Sequence, residues 1–142
     1  AVEVRWRPFF LAPDAPREGV SKRAFYEAKF GPARVASMEP FLRERFAEVG
    51  LGFSMGGLTG STMDSHRLIA YAETLGPAAQ NALVEELFNN YFAEEKFVGD
   101  RRVLLDAATK VGLPGADAVL DDPTAFRDEV LRQYEDKARG VR

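Results

Sequence analysis

Only one stretch of the chain alternates apolar with polar residues, and it stands at the start: V-E-V-R-W-R, with Val2, Val4 and Trp6 on one side and Glu3, Arg5 and Arg7 on the other. That is the period of a half-buried strand. Pro8 ends it. From there to Gly19 the segment holds three prolines, which predicts an ordered, mostly extended loop with Phe9, Phe10 and Leu11 packed against apolar surface. Everything downstream reads as helix. A lone strand leaves N–H and C=O groups unpaired along both edges, and each such group costs about 1–3 kcal/mol if it is buried. The pattern therefore predicts a mainly α chain whose single N-terminal strand takes its partners from elsewhere. An internal piece of a larger domain would satisfy that, and so would a chain that pairs with a second copy of itself through the strand.

The helices are punctuated by glycine and proline. Ser21 is placed to cap a short helix carrying Phe25, Tyr26 and Lys29, which Gly31-Pro32 stops. A second helix is expected to run to about Val49 with Gly50 as its left-handed cap and Leu51 folded back on it. Pro40 falls inside it, so a kink or two shorter helices with Ser37 as a cap is predicted. The stretch L-G-F-S-M-G-G-L-T-G follows a helix, lacks the Lys-Ser/Thr ending of a phosphate-binding loop, and reads as a flexible connection. Ser61 or Thr62 starts the next helix, with Asp64 near its free amides and Leu68, Ala72 and Leu75 on one face. It ends at Gly76-Pro77. The following helix carries Leu83, Leu87 and Tyr91 beside Val84, Phe88 and Phe92, an apolar face wide enough for the centre of a core. Asp100 caps a further helix with Val103, Leu104, Ala107, Ala108 and Val111 facing inward. A short turn of helix near Ala116 to Leu120 precedes a last one from about Thr124 to Ala138. Phe126, Val130 and Tyr134 point inward there, and Asp128/Arg132 and Glu135/Arg139 are spaced to pair.

Composition narrows the chemistry. At 142 residues the chain supports one core, and 46% apolar with 29% charged residues is the make-up of a globular protein. A net charge of -3 with scattered Lys and Arg argues against nucleic acid, and no apolar run approaches the roughly 18 residues of a membrane span. No secretory leader is seen, so the cytoplasm is the expected location. There is no cysteine, which rules out a thiolate nucleophile or a zinc–thiolate site within these residues. His66, in S-T-M-D-S-H-R-L, is the one histidine and has no second ligand residue of its kind for a metal. The adjacent carboxylates Glu85/Glu86, Glu94/Glu95 and Asp121/Asp122 are consecutive rather than facing, and read as solvated.

Four segments in series carry a resemblance: W-R-P-F-F-L-A-P after a strand, T-M-D-S-H-R-L-I-A-Y-A, F-N-N-Y-F-A-E-E-K-F-V-G-D-R-R-V-L, and V-G-L-P before a charged helix. In that order and spacing the chain resembles the DsbA-like proteins of the thioredoxin superfamily, and within them the FrnE-type oxidoreductases. The 2-hydroxychromene-2-carboxylate isomerases and kappa-class glutathione transferases are more distant relatives. The resemblance implies a helical insertion domain of a DsbA-like thioredoxin fold, with residues 1–19 as a thioredoxin-type strand and its connection and 20–142 as the helical domain. It also implies a Cys-Pro-x-Cys motif, or a Ser in the isomerases, that these residues do not contain.

On that footing the substrate-groove candidates are Phe9, Phe10, Ser61, Thr62 and His66, with no catalytic residue and no metal ligand among them. Thr62, His66 and Arg67 match the family's histidine motif, whereas Ser61 and Ser65 stand where asparagine and alanine are usual. A structural role for His66 and core packing for Phe9 and Phe10 are the competing readings of the same residues. The function implied is part of a thiol–disulfide oxidoreductase whose helical domain covers the active-site groove, acting on a protein or small thiol or disulfide and needing no cofactor. The alternatives are a glutathione-dependent isomerase or transferase, and a non-catalytic helical module that binds a partner through the loop Leu51 to Gly60 and exposed ends around Phe97.

Overall fold

The computed structural model describes residues 1–138 and 140. In chain order the elements are β1 (Val20–Ser21), α1 (Lys22–Phe30), α2 (Pro32–Glu48), β2 (Leu58–Thr59), α3 (Met63–Thr74), α4 (Pro77–Phe92), α5 (Arg101–Lys110), α6 (Ala116–Asp121) and α7 (Arg127–Ala138). The fold is mainly helical, as a DsbA-like fold with a helical insertion requires. Several boundaries follow directly from local chemistry. Ser21 Oγ accepts the Ala24 amide at 3.3 Å to start α1, and Asp100 accepts the Arg102 and Val103 amides at 2.7 and 3.4 Å to start α5. Gly31, at φ 87°, takes a conformation closed to most residues and turns the chain into α2, where Pro32 occupies a first-turn position that needs no N–H donor.

The core is a single cluster. Leu68 and Ala72 of α3 meet Leu83 and Leu87 of α4, Leu104, Ala107 and Ala108 of α5, and Leu113, Ala116 and Val119 around α6. Beside it α1 and α2 form a hairpin, tied to the body by the antiparallel pairing of Val20 with Thr59 and Ser21 with Leu58. Phe46 of α2 also packs its ring 4.9 Å from Phe53 and 5.7 Å from Phe92. Four long polar side chains are sealed inside this framework: Lys22, Arg67, Gln80 and Asn90. Lys22 Nζ donates to the Tyr91 carbonyl at 2.6 Å and the Ser54 carbonyl at 3.3 Å, and lies 4.0 Å from the Tyr91 ring centroid. A cation there satisfies a carbonyl left over at the end of α4 together with one of the glycine-rich loop. Its burial lowers the Lys22 pKa, and nearby Glu95 opposes that shift.

Several expectations are corrected. Residues 2–7 form no strand; the two short strands lie instead at Val20–Ser21 and Leu58–Thr59. The N-terminal segment does not need a ladder at Trp6, because its backbone N–H and C=O are both met by the side-chain amide of Gln80 at 2.9 and 3.1 Å. Pro40 does not split α2. It lies on the exposed side of the helix, where the carbonyl one turn back stays open to water, and Ser37 donates to Arg34 O instead of capping. Gly50 does turn left-handed at φ 76°, and the Leu51 amide closes on Phe46 O at 2.9 Å, but the Leu51 side chain remains exposed. Leu75 is likewise exposed rather than inward, since α3 gives way to its cap at that residue.

The glycine-rich stretch is anchored, not a free connection. Ser54 N–H reaches Phe92 O at 2.7 Å, Lys22 N–H reaches Gly57 O at 3.0 Å, and Met55 is buried. Gly57, at φ 87°, lies so close to the Glu95 backbone that a side chain would collide with it. Phe97 is buried as well, its ring against Gly19, Gly60 and Gly99, while Glu94, Glu95 and Lys96 before it are exposed. The last helix starts at Arg127, later than expected, because Asp122 captures the amide and hydroxyl of Thr124 and Phe126 adopts φ 60°. Arg132 pairs with Glu129 at 2.7 Å and Asp136 at 3.5 Å, not with Asp128, and the Glu135/Arg139 pair lies outside the described residues.

Leu104 is fully buried in the centre of this cluster. Leu104→Ala removes its methyl groups from a site that four helices hold in place, and is expected to lower unfolding stability by about 2–5 kcal/mol, read as a lower urea midpoint at unchanged m-value.

Candidate functional site

The proline-punctuated N-terminal loop delivers Pro8, Phe9 and Phe10 to the outer side of α3 and α7. The Phe10 ring stands edge-on to His66 at 4.9 Å and to Tyr134 at 5.0 Å, and Phe9 stands edge-on to Tyr134 at 5.7 Å. Such edge-to-face pairs place a positive ring edge on a negative ring face. Pro8 is buried beneath them, whereas Phe9 stays 40% exposed at the rim. The structure thus brings Phe9, Phe10 and His66 into one aromatic cluster. Tyr134 completes it and was not among the candidates, although its place on the inward stripe of the last helix with Phe126 and Val130 was the available signal.

Ser61 and Thr62 stand one turn away and work on the backbone. The Ser61 amide donates to Pro16 O at 2.9 Å, and its hydroxyl accepts the Met63 amide at 3.4 Å. Thr62 O receives the His66 amide and the Ser65 hydroxyl, both at 2.9 Å, while the Thr62 side chain makes no cap bond. Asp64 does not turn to the helix amides; its carboxylate pairs with Arg67 at 2.9 Å and with Arg17 at 3.6 Å.

His66 is half-buried, and burial pushes its imidazole down to about 4, against an opposing pull from the Phe9 backbone. At neutral pH the ring is therefore uncharged and packs as an aromatic. The neighbouring Arg67 is the residue with the larger structural task. It is 2% exposed, and its guanidinium donates to Ala125 O and Val119 O, each at 2.7 Å, to Asp122 O, and to Asp64. Three carbonyls released by the end of α6 and the turn into α7 are thus gathered by one side chain of α3.

Below the aromatic rim lies a charged cleft of about 490 Å³ lined by Arg7, Glu73 and the Glu129, Arg132, Gln133 and Asp136 side of α7. Arg7 holds both Glu73 oxygens at 2.8 Å, and Gln133 donates to Glu129 at 2.6 Å. Among the described residues no group of three or more His, Cys, Asp or Glu is placed to hold a metal ion, and no helix is long and apolar enough to cross a membrane.

Two expectations follow. Because the folded-state pKa of His66 is depressed, the unfolded chain takes up a proton first as pH falls below about 6.5, and stability is lost between there and about 4. The difference in urea midpoint between pH 7.5 and 4.5 should therefore be smaller in His66→Leu than in the parent, and the imidazole proton resonance should titrate near 4. Arg67→Ala strands the carbonyls of Val119, Asp122 and Ala125 and the Asp64 carboxylate. It is expected to destabilise by about 3–5 kcal/mol in chemical unfolding, with early loss of amide protection in α6 and α7.

The comparisons with known proteins bear on the family and the fold. The DSBA-like thioredoxin domain matches the chain over residues 1–142. No curated protein matches it. A crystal structure described as a probable DsbA oxidoreductase from Streptomyces coelicolor superposes with a TM-score of 0.85 at 29% identity, covering 96% of this chain and 60% of that one. The chain thus spans less than two thirds of that relative's length. With the whole chain matched and the helical body superposed, the protein belongs to the DSBA-like thioredoxin domain family.

Proposed function

We propose that this chain is the helical part of a DsbA-like thiol–disulfide oxidoreductase, of the FrnE type, and that its aromatic rim covers the groove in which a disulfide or dithiol substrate is exchanged. The observation that carries the reading is the superposition of nearly the whole chain on a structure described as a probable DsbA oxidoreductase. The chain holds no cysteine, so the attacking thiolate comes from outside these residues. Residues 1–19 serve as the connection that joins the helical domain, residues 20–142, to the thiol-bearing half.

In this division of labour the chain contributes surface and not proton transfer. A neutral His66 packed on Phe10 neither donates nor accepts the exchanged proton at neutral pH. Phe9 is the residue of the cluster with an open face, and it offers apolar contact to a substrate backbone or side chain. The substrate is a protein or a small thiol or disulfide, and no cofactor is required.

The test takes the polypeptide in which this chain occurs and assays reduction of insulin disulfides. The proposal expects turnover, a Cys-x-x-Cys in the contiguous sequence, and a several-fold rise in KM with little change in kcat for Phe9→Ala. A serine at the first position with glutathione-dependent isomerisation would replace it by the alternative reading. Absence of both nucleophiles would sink it.

A further inference from the structure

The elements fall into two groups that pack within themselves. Among the described residues α2 packs against α1 and no other element, α1 adds only β1 and β2, and these two strands pack on each other and on α1. The helices α3–α7 form the body around the core cluster. Residues 20–59 thus make a unit beside the body, and Val35 of α2, fully buried, gives it a centre of its own. What joins this unit to the body converges on one place, the end of α4 and the turn after it. Lys22 Nζ donates to Tyr91 O at 2.6 Å, the Tyr91 hydroxyl to Thr59 Oγ1 at 3.2 Å, the Ser54 amide to Phe92 O at 2.7 Å and the Ser54 hydroxyl to Glu95 at 2.6 Å. The Phe46 ring stands 5.7 Å from Phe92, and Gly57 faces the Glu95 backbone with no room for a Cβ.

We propose that residues 20–59 swing as one unit away from residues 91–97 while α3–α7 stay folded, so that the hairpin of α1 and α2 is a flap on the helical body. Its two ends meet at a single base, where the Ser61 amide donates to Pro16 O at 2.9 Å. One end runs on into the loop that carries Phe9 and Phe10, the other into α3, which carries His66. Motion about that base breaks no helix and leaves the core cluster closed. The docked face is a weak one. The ladder of β1 and β2 lies within the flap, and its Val20 and Leu58 are 40% and 41% exposed. Lys22 has to give up its water to dock, and Glu95 is held at φ 60°, a conformation that strains a residue with a side chain. Those costs stand against four hydrogen bonds and the contact of Phe46 with Phe92, so the flap opens before the body does. Opening bares the Tyr91 and Phe92 rings, on which Lys22 and Phe46 lie in the closed form.

This inference does not rest on the redox reading, and either stands if the other fails. Native-state amide exchange of the polypeptide in which this chain occurs tests it. The slowest amides of α1 and of α2 should share one protection factor, at least about tenfold below that of α4 and α5. Phe46→Ala removes the ring that α2 lays on Phe92, and should lower protection in α1 about tenfold or more further while α4 and α5 keep theirs. Gly57→Ala drives a Cβ into the Glu95 backbone and should give the same pattern. Leu104→Ala, in the body, is the contrast, lowering protection in α4 and α5 more than in α1 and α2. If Gly57→Ala does not fold, Phe46→Ala decides alone. Protection in α1 and α2 equal to that in α4 and α5 overturns the proposal, because the chain then opens only as a whole. A loss shared by all four helices on Phe46→Ala overturns it for the same reason, and so does an α1 that does not respond. Different protection factors in α1 and α2 would show two helices fraying separately, which also overturns it.

Discussion

One guanidinium decides how the second half of the helical body is assembled. Arg67 leaves α3 inside the core, and its donors end on carbonyls of Val119, Asp122 and Ala125, at the place where α6 stops and the chain turns into α7. A six-residue helix has too few internal bonds to hold itself, and its terminal carbonyls need partners. At Val119 water cannot supply one, because that residue is buried against the core cluster. An always-charged, five-donor fork is the side chain that can meet several carbonyls at once, and Asp64 one turn back offsets its charge. The position of α7, and so of Tyr134 in the aromatic rim, depends on that knot.

The aromatic rim is in turn a consequence of where the N-terminal segment lies. Trp6 is held by Gln80 and Asn81 and stands edge-on to Phe88 at 5.6 Å, while Arg7 clasps Glu73 at the far end of α3. With those two residues fixed, Pro8 sets the direction of the chain and Phe9 and Phe10 fall over His66 and Tyr134. Each contact is individually modest. Together they bind a segment without regular secondary structure to three helices, with side-chain amides, an ion pair and aromatic contacts in place of a β-ladder.

Much of this was legible in the order of residues. Ser21 and Asp100 act as caps because a short side-chain oxygen before a helix has few other uses, and Gly31-Pro32 and Gly76-Pro77 end and start helices for reasons local to the backbone. The core leucines and alanines of α3, α4 and α5 follow from spacing. What was not legible is the set of buried polar residues. Lys22, Arg67, Gln80 and Asn90 look like surface residues in any window, because their partners lie far along the chain, Tyr91 for Lys22 and Trp6 for Gln80. The same blindness produced the expected strand: the alternation of Val2, Val4 and Trp6 is real, but nothing in sequence shows that Gln80 stands in for the neighbouring strand at Trp6. Of the sequence candidates, Phe9, Phe10 and His66 converge on one aromatic cluster with Tyr134, whereas Ser61 and Thr62 serve the backbone.

The state of His66 bears on what such a body can contribute to chemistry. A histidine that exchanges protons near neutrality needs either solvent or a charged partner to keep its two forms close in energy. Here the ring has Phe10 edge-on to it and, among the described residues, no carboxylate bonded to it, while Asp64 on the same helix is already committed to Arg67. Removing the imidazole charge is the cheaper solution for the fold, and the cluster gains a close-packed aromatic. In the function proposed above, reactivity comes from a group outside these residues, and the chain's share is an apolar rim, partly open at Phe9. On that proposal, a rim of this kind would discriminate among substrates by shape and apolar contact, and so affect how they bind more than how fast they react.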